Sequence, residues 1–525
     1  MARLQINRLE EGGCIDRSKP LNFSFNGKRL QGFAGDTLAS ALLANGVKLV
    51  SRSFKLHRPR GIVAAGAEEP NAILQIGRGA ETLPNLRATQ VELYEGLEAR
   101  STKGWPSLRF DIAAINDRFS GLFGAGFYYK TFMWPKSFWK HYEAFIRASA
   151  GLGNAPTEAD PDHYEHRNAH CDVLVAGGGP AGLMAALVAG RSGARVIMVD
   201  DQDQFGGRLL SQRDRIDDMS GKDWVQKVTT ELSTLDNVRL LPRSTVFGYY
   251  DHNFLAIAER CSDHLPQVER KGVRERLWRV RAKQVVLAQG AFERPLVFCN
   301  NDRPGVMTAS AVSTYINRYG VCPGQRVVVF TNNDSAYTTA LDIADANINV
   351  VVIDSRVGGA GSLGKAARAR DIPVLQGHIV TDVVGCKRIS RVRVAKWSGD
   401  TEAVVENSIN IDCDLLAMSG GWSPAVHLHS QSGGKNLWNA QSLCFEPGES
   451  IQANFSAGAS NGRWQLSDCL RDGLRAGLEA LKRCNLTATS IDAPAVEQLD
   501  DYNIEALWRV PAAYDADHCS KQFID

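Results

Sequence analysis

The stretch at residues 171–201, CDVLVAGGGPAGLMAALVAGRSGARVIMVDD, constrains the fold more than any other part of the chain. It opens with a short apolar run that is typical of a buried parallel strand. Gly177, Gly179 and Gly182 follow in G-x-G-x-x-G spacing at the start of a helical run, and a second apolar run ends at Asp200. The stretch therefore predicts a strand–helix–strand unit of the doubly wound type.

Each glycine of this motif is required at its position for a steric reason. Gly177 makes the tight turn, Gly179 lets a pyrophosphate approach the backbone, and Gly182 lets helix and strand pack closely. The phosphates would lie at the helix N-terminus, where amide groups lack partners and the helix dipole is positive. Asp200, placed where a ribose-binding carboxylate belongs, favours a free 2′-hydroxyl, as in NAD or FAD. The motif alone also occurs in ordinary glycine-rich turns, but its full context favours a dinucleotide site.

Length and composition narrow the class of protein. The 525 residues are enough for about three domains, and the formal charge of +2 makes no case for nucleic acid or membrane as a partner. No apolar run is long enough to cross a bilayer. Eleven cysteines without a CxxC pair predict buried thiols, Cys299 among them, in a reducing cytoplasm, and they predict no metal site.

Residues 1–100 read as a small β-rich module. An alternating run with an Asn26-Gly27 turn predicts a hairpin, and Asp36 or Thr37 caps the helix that follows. Hairpin and capped helix resemble the β-grasp module of ferredoxin-type [2Fe–2S] domains, whose clusters are held by four thiolates. Residues 61–74, where such ligands belong, contain no cysteine. The expectation is a ferredoxin-like module with no iron–sulfur cluster.

Two further segments suggest contacts between parts of the protein. The basic run at residues 51–61 is either a solvated loop or a patch for a phosphate or an acidic partner surface. Residues 101–168 are rich in aromatic side chains and predict helical connectors that clamp one domain onto another or onto a partner. Residues 157–170 are expected to form a hinge.

Residues 321–439 repeat the doubly wound pattern without its glycines. An apolar strand, a helix and a second strand follow one another, but the turn at residues 331–334 reads Thr-Asn-Asn-Asp. Side chains there would obstruct a phosphate, and Asp334 would place a negative charge beside it. A second nucleotide-type domain is therefore expected, with its site unoccupied.

These segments predict an α/β chain with two doubly wound dinucleotide-binding-type domains of the disulfide-reductase-like flavoprotein fold, preceded by a degenerate β-grasp module. The expected parts are the module (1–100), the connector (101–168), the first nucleotide domain (169–320 and 440–485), the second (321–439), and a tail or linker (486–525).

Several phrases together resemble the alpha subunits of heterotetrameric sarcosine oxidases. They are GDTLASALLANG, RSFKLHRPRG, DVLVAGGGPAGLMAAL, FERPLVFCNNDRPGVM, VVVFTNNDSAYTTA and LLAMSGGWSPAVHLHSQSGG. The resemblance implies that the first site holds NAD, that FAD is bound by a partner beta subunit, and that FMN is shared between alpha and beta. It also implies gamma and delta subunits, and a reaction that demethylates sarcosine to glycine while O2 is reduced to H2O2.

Carried over by position, the resemblance also implies cofactor contacts beyond the motif. With the motif glycines and the Gly207 turn, the expected cofactor residues are Gly177, Gly179, Ala181, Gly182, Asp200, Asp201, Gln202, Gly207, Arg208, Val246, Ala459, Trp464 and Leu466. Arg208 is expected to face the pyrophosphate, with a surface arginine as the alternative.

No group of residues in this chain resembles an amine-oxidising centre, so no catalytic residue is predicted. Family alpha subunits continue into a folate-binding domain, to which no residue here is assigned. Two other functions stay open. One is a stand-alone reductase with FAD at the first site and nicotinamide at the second. The other is a non-catalytic assembly subunit whose nucleotide stabilises the fold.

Overall fold

A computed structural model describes residues 5–122, 134–359, 361–397, 399, 408–497 and 502–511. Three sheets dominate this part of the chain. One belongs to an amino-terminal module, and the other two are mostly parallel sheets flanked by helices. The arrangement confirms the predicted fold class of a β-rich module followed by two doubly wound domains.

The amino-terminal module is a five-stranded sheet in the order β2-β1-β7-β5-β6. Its elements are β1 (Asp16–Phe25), β2 (Lys28–Ala34), α1 (Leu38–Ala44), β3 (Ser51–Arg52), β4 (Pro59–Arg60), β5 (Ile73–Ile76), β6 (Leu83–Arg87) and β7 (Leu97–Ser101). Asn26 and Gly27 both have positive φ, as a two-residue hairpin turn requires. The Thr37 hydroxyl accepts a hydrogen bond from the Ser40 amide and so caps α1, as expected.

The first doubly wound domain has the strand order β12-β9-β8-β15-β14-β13, with β28 beside β15. Its strands are β8 (His163–Ala176), β9 (Val196–Val199), β10 (Arg215–Ile216), β11 (Met219–Ser220), β12 (Val238–Leu241), β13 (Ser244–Tyr250), β14 (Phe254–Arg260), β15 (Val273–Leu287) and β28 (Asn454–Ser456). Its helices are α3 (Pro180–Arg191), α4 (Gly221–Thr234) and α9 (Leu466–Arg483), and α2 (Trp139–Ala150) precedes them. Strand β8 starts at His163, so the predicted hinge at residues 157–170 is wrong in its second half. The first half of β8 is mostly exposed and polar, so a search for runs of apolar residues did not identify it as a strand.

The second doubly wound domain has the order β17-β24-β18-β19-β20. Its main elements are β17 (Val306–Thr308), α5 (Ala309–Asn317), β18 (Arg326–Thr331), α6 (Ala336–Asp345), β19 (Asn349–Asp354), α7 (Gly361–Ala369), β20 (Val374–Gln376) and β24 (Leu415–Ser419). A meander and the links to the first domain comprise β16 (Ala291–Glu293), β21 (His378–Gly385), β22 (Ile389–Lys396), β23 (Ile409–Asp412), β25 (Trp422–Pro424), α8 (His427–Gln431), β26 (Asn436–Asn439) and β27 (Cys444–Pro447). Strands β16 and β25 pair antiparallel where the chain passes between the two domains.

The amino-terminal module shares a hydrophobic core with the second doubly wound domain. Leu42 and Leu74 from the module lie in one buried cluster with Tyr315, Val329 and Ala340 from that domain. The shared core fixes the module against the rest of the chain.

The basic run at residues 51–61 is neither a solvated loop nor an open patch, and both readings are wrong for its arginines. Arg58 and Arg60 are buried, at 3% and 4% exposure. Both pair with the buried Asp302, and Arg58 does so through two hydrogen bonds of 2.6 and 2.7 Å. His57 lies 2.7 Å from Asp111. Acids distant in sequence supply the counter-charges, which a local reading cannot detect.

The aromatic connector leaves several large apolar side chains exposed. Trp105, Phe110, Trp134 and Phe145 are 72, 67, 84 and 69% exposed. Part of the predicted aromatic run, at residues 123–133, lies outside the described residues. Among the helices that the structure describes, none combines the length and the apolar character needed to cross a bilayer.

The cysteines correct one expectation. Nine of those in the described ranges carry free thiols, and six of these are buried. Cys299, expected to be a buried free thiol, is instead disulfide-bonded.

Asp302→Asn is predicted to destabilise the fold by about 3–5 kcal/mol, because the buried guanidinium groups of Arg58 and Arg60 would lose the buried carboxylate that they share. Urea unfolding monitored by tryptophan fluorescence measures this change. The control is Asp16→Asn, which removes an exposed pair with Lys19 and is expected to leave the free energy of unfolding almost unchanged, because solvent screens such pairs. Equal stability of the two variants would contradict the assignment of Asp302 as the counter-ion.

Candidate functional site

The site begins where β8 turns into α3. Gly177 has φ +104, and a side chain there would collide with the carbonyl oxygen of Ala288 at the end of β15. A β-carbon at Gly182 would collide with the carbonyl of Gly177. The two glycines therefore allow the backbone of the turn to pack against the strands beside it. These are the roles that the sequence motif assigns to them.

Gly179 differs from its neighbours because it faces open space. It is the N-cap residue of α3, with φ −72, and a β-carbon there would meet no atom within 4 Å. Pro180 occupies the first turn, which leaves the remaining amide groups of that turn directed at the opening. The helix end can therefore receive an anionic group at close range.

This opening is part of a cavity of about 730 Å³ between the two doubly wound domains. Eleven of the thirteen predicted cofactor residues line it, namely Gly177, Gly179, Ala181, Asp200, Asp201, Gln202, Gly207, Arg208, Val246, Ala459 and Trp464. Gly182 and Leu466 do not line it. Leu466 is packed in the core at 5% exposure, and Gly182 acts in backbone packing.

Asp200 and Asp201 occupy the end of the cavity next to β9. The Asp200 carboxylate accepts hydrogen bonds from the Gly178 amide at 2.6 Å and the Gln202 amide at 2.9 Å. Burial and the neighbouring charge of Asp201 raise the pKa of Asp200 above its usual value. Asp201 accepts a 2.8 Å hydrogen bond from Gln90 of the amino-terminal module. The module therefore helps to position this acidic pair.

Arg208 connects two loops at the rim of the cavity. Its Nη1 donates to the carbonyl of Trp464 at 3.1 Å, and its Nη2 lies 3.5 Å from Asp214. Gly207, with φ +51, packs against Gly179, where a β-carbon would lie 3.0 Å from the Gly179 Cα. The turn at Gly206 and Gly207 thus closes over the N-terminus of α3.

The cavity lining also includes five residues that the sequence analysis missed. Glu68, Glu293, Ser310, Trp422 and Tyr502 are called the inner end of the cavity. They come from five separate segments, so no local pattern could have joined them. The one available signal was Glu293, which follows shortly after the apolar run and glycine at residues 284–290.

The glycine-free turn of the second doubly wound domain, at residues 331–334, is covered by residues 502–511 of the predicted tail. The amide of Glu505 donates to the carbonyl of Asn332 at 3.0 Å, and the Asn332 side chain donates to the carbonyl of Glu505 at 2.7 Å. The Asn503 amide donates to Asp334 at 3.0 Å. Extended chain therefore lies where the phosphates of a second nucleotide would bind.

The sequence analysis assumed that the negative charge of Asp334 would face an incoming phosphate. In the structure this charge is paired instead. Arg356, which is 2% exposed, pairs with Asp334 at 2.7 Å and with Asp354 at 2.9 Å. The same guanidinium donates to the carbonyl of Asn503 at 3.0 Å. Arg356 thus neutralises the turn and ties residues 502–511 to it.

Two family models match parts of the chain. Residues 18–104 match a family described as "2Fe-2S iron-sulfur cluster binding domain", and residues 172–241 match "FAD dependent oxidoreductase". The first match contradicts the expectation of no iron–sulfur cluster, which is wrong: the amino-terminal module matches a cluster-binding family model.

The residues of the matched module do not fit thiolate ligation of such a cluster. Residues 18–104 contain no cysteine, whereas ferredoxin clusters are held by four. Across the described ranges, no group of three or more His, Cys, Asp or Glu side chains is arranged to hold a metal ion.

One solved structure shares the fold over most of the chain. It is L-proline dehydrogenase from P. horikoshii, with a TM-score of 0.61 and 18% identity, covering 92% of this chain and 77% of that chain. At this identity the likeness shows the fold alone.

Two relatives show a much closer similarity in sequence. Sarcosine oxidase subunit alpha of Rhizobium meliloti (strain 1021) is 46% identical over 522 residues, which are 99% of this chain and 51% of that protein. Sarcosine oxidase subunit alpha of Corynebacterium sp. (strain U-96) is 35% identical over 98% of this chain and 49% of that protein. The chain spans about half the length of these relatives. By this similarity along its whole length, the chain belongs to the family of sarcosine oxidase alpha subunits.

Proposed function

We propose that the cavity binds NAD, with the pyrophosphate at the N-terminus of α3 and the adenosine ribose at Asp200. The observation that carries this proposal is Gly179, which is open to the cavity at a helix end. Backbone amides can therefore reach the phosphate oxygens directly, and the helix dipole favours their charge.

The charges around the cavity favour NAD over FAD and over NADP. A carboxylate at Asp200 suits a free 2′-hydroxyl and repels a 2′-phosphate. Glu68 and Glu293 at the inner end are acidic, which suits the positively charged ring of oxidised NAD. The resemblance to sarcosine oxidase alpha subunits also implies NAD.

The chain's residues would hold the nucleotide without using it in chemistry. The first turn of α3 would bind the pyrophosphate, Asp200 would accept a hydrogen bond from the ribose, and the loop at Gly207 and Arg208 would cover both. Val246, Ala459 and Trp464 would line the remaining walls. The bound nucleotide would stabilise the folded state by mass action.

We further propose that the chain acts as the alpha-type subunit of a multisubunit sarcosine oxidase in the cytoplasm. Amine oxidation would take place on a flavin of a beta-type partner, with an FMN shared between the two subunits and with gamma- and delta-type subunits completing the complex. The similarity to subunits named sarcosine oxidase supports this assignment. The exposed aromatic side chains of residues 101–168 offer contact area for partners.

The alternative of a stand-alone reductase is less well supported. It requires a nicotinamide nucleotide at the second turn, where residues 502–511 form hydrogen bonds with Asn332 and Asp334. It also requires FAD in a cavity whose inner end is acidic.

The purified chain is predicted to be nearly colourless and to release NAD when it is denatured in acid. Chromatography of the acid supernatant and its absorbance spectrum identify the nucleotide. About one NAD per chain is expected if the cavity is a single site. A yellow preparation with stoichiometric FAD would reject NAD in favour of the reductase.

Gly179→Val is predicted to fold normally and to lose bound NAD, because its side chain would occupy the space needed by the pyrophosphate. The φ of −72 suits any residue, and no atom lies within 4 Å of a β-carbon at this position. Gly358→Val is the matched control, since Gly358 is also unobstructed and lies outside the cavity lining. Thermal unfolding checks the fold, and NAD content checks the site. Full NAD content in Gly179→Val would show that the pyrophosphate is bound elsewhere.

A further inference from the structure

Acidic side chains outnumber basic ones around the cavity in the part of the chain that the structure describes. Glu68, Asp200, Asp201, Glu293 and Asp334 line it, against the two arginines Arg208 and Arg318. Arg318 is already paired with Asp203 at 2.7 Å, and Asp334 is paired with Arg356. The inner end is thus left with the two carboxyl groups of Glu68 and Glu293.

Glu293 is held firmly in place. It lies on β16 at 9% exposure, and its Oε2 accepts a 2.7 Å hydrogen bond from the Ser310 amide at the start of α5. Burial raises the pKa of Glu293 to about 7, although hydrogen bonds from Ser310 and Ser419 oppose the rise. Two other ionisable groups that interact with it are Glu68 and Tyr502.

Glu293 is also within reach of a dinucleotide bound at the glycine turn. Ala288 touches that turn at Gly177, and the chain then runs along the cavity wall to Glu293. Five residues span at most about 18 Å, and the backbone here turns at Gly290, which has φ +78. Glu293 therefore lies at most about 18 Å from the glycine turn, on the wall of the same cavity, and the proposal below places the nicotinamide end of a nucleotide bound at α3 beside it.

We propose that Glu293 makes the cavity selective for the oxidised form of the nicotinamide ring. This inference rests on the proposed function, since it assumes a nicotinamide nucleotide at α3. Oxidised NAD carries a positive charge on the ring and reduced NADH carries none there. A carboxylate beside the ring stabilises only the first, and the poorly solvated surroundings strengthen the attraction.

The charge of Glu293 sets the sign of the pH dependence, and the pKa of its neighbour Glu68 is also raised by burial, so ionisation of Glu68 acts in the same direction. Above a pKa of about 7 the side chain is ionised and attracts the ring, and below it the neutral acid does not. The preference for NAD over NADH therefore increases from pH 6 to pH 8. Titration of Asp200 and Asp201 affects both ligands alike, because they share the same adenosine half, so it cancels in their ratio.

Equilibrium exchange on the intact protein tests the proposal. The holoprotein is dialysed against mixtures of NAD and NADH, or of ADP-ribose and NADH, at pH 6, 7 and 8, and the bound nucleotides are quantified. In Glu293→Gln the preference for NAD over NADH is expected to fall by about tenfold at pH 8, the equivalent of one pKa unit. Glutamine keeps an oxygen that can accept from Ser310, so the start of α5 stays capped.

Glu269→Gln, an exposed glutamate outside the cavity lining, is the matched control and should leave every ratio unchanged. The partition between ADP-ribose and NADH should stay the same in Glu293→Gln, since neither ligand has a charged ring. An unchanged ratio of NAD to NADH in a folded Glu293→Gln would overturn the proposal. The proposal would also be overturned if the ratio of bound NAD to bound NADH in the wild-type protein did not rise between pH 6 and pH 8. This second test requires no variant.

The proposed function fails in a different way. If the wild-type protein retains neither ADP-ribose, NAD nor NADH, the cavity is not a nicotinamide-nucleotide site, and the role of Glu293 falls with it. If the protein retains all three without an effect of Glu293, only the selectivity is refuted.

Discussion

The close approach of the backbone at the junction of β8 and α3 is the constraint on which the rest of the structure depends. Side chains at Gly177 and Gly182 would collide with carbonyl oxygens of the strands and of the turn itself. Helix α9 approaches α3 equally closely, since a β-carbon at Gly473 would collide with the carbonyl of Ala181. Backbone contacts of this kind tolerate no side chain, so they fix the helix axis and direct its free amide groups into the cavity.

Buried charge is handled in two different ways. Outside the cavity, arginines pair with buried acids: burial would raise the pKa of Asp302, but hydrogen bonds and charge from Arg58 and Arg60 hold it below its usual value. Inside the cavity, Asp200 and Glu293 accept hydrogen bonds from backbone amides, and the pKa of each is raised by burial. The cavity is therefore a place where a ligand with donor groups or positive charge would relieve a desolvation cost.

The two doubly wound domains share a topology but differ at the turn between the first strand and the helix. In the first, glycines leave the helix N-terminus open. In the second, Asn332 and Asp334 form hydrogen bonds with residues 502–511, and Arg356 balances the carboxylates around the turn. A segment distant in sequence thus lies across the second turn and, through Tyr502, also contributes a wall to the first cavity.

The amino-acid sequence by itself determined the hairpin at Asn26-Gly27, the cap at Thr37, both doubly wound patterns, and the glycine turn with Asp200 at the end of the following strand. Each of these depends on neighbours within about 30 residues, for which spacing and residue type are sufficient. Only the tertiary structure decided that Asp302 neutralises Arg58 and Arg60, that residues 502–511 cover the second turn, and that Glu68 and Glu293 meet at the inner end of the cavity. Those outcomes depend on which distant segments come together, and buried charges and cavity walls carry no local periodicity from which that could be deduced.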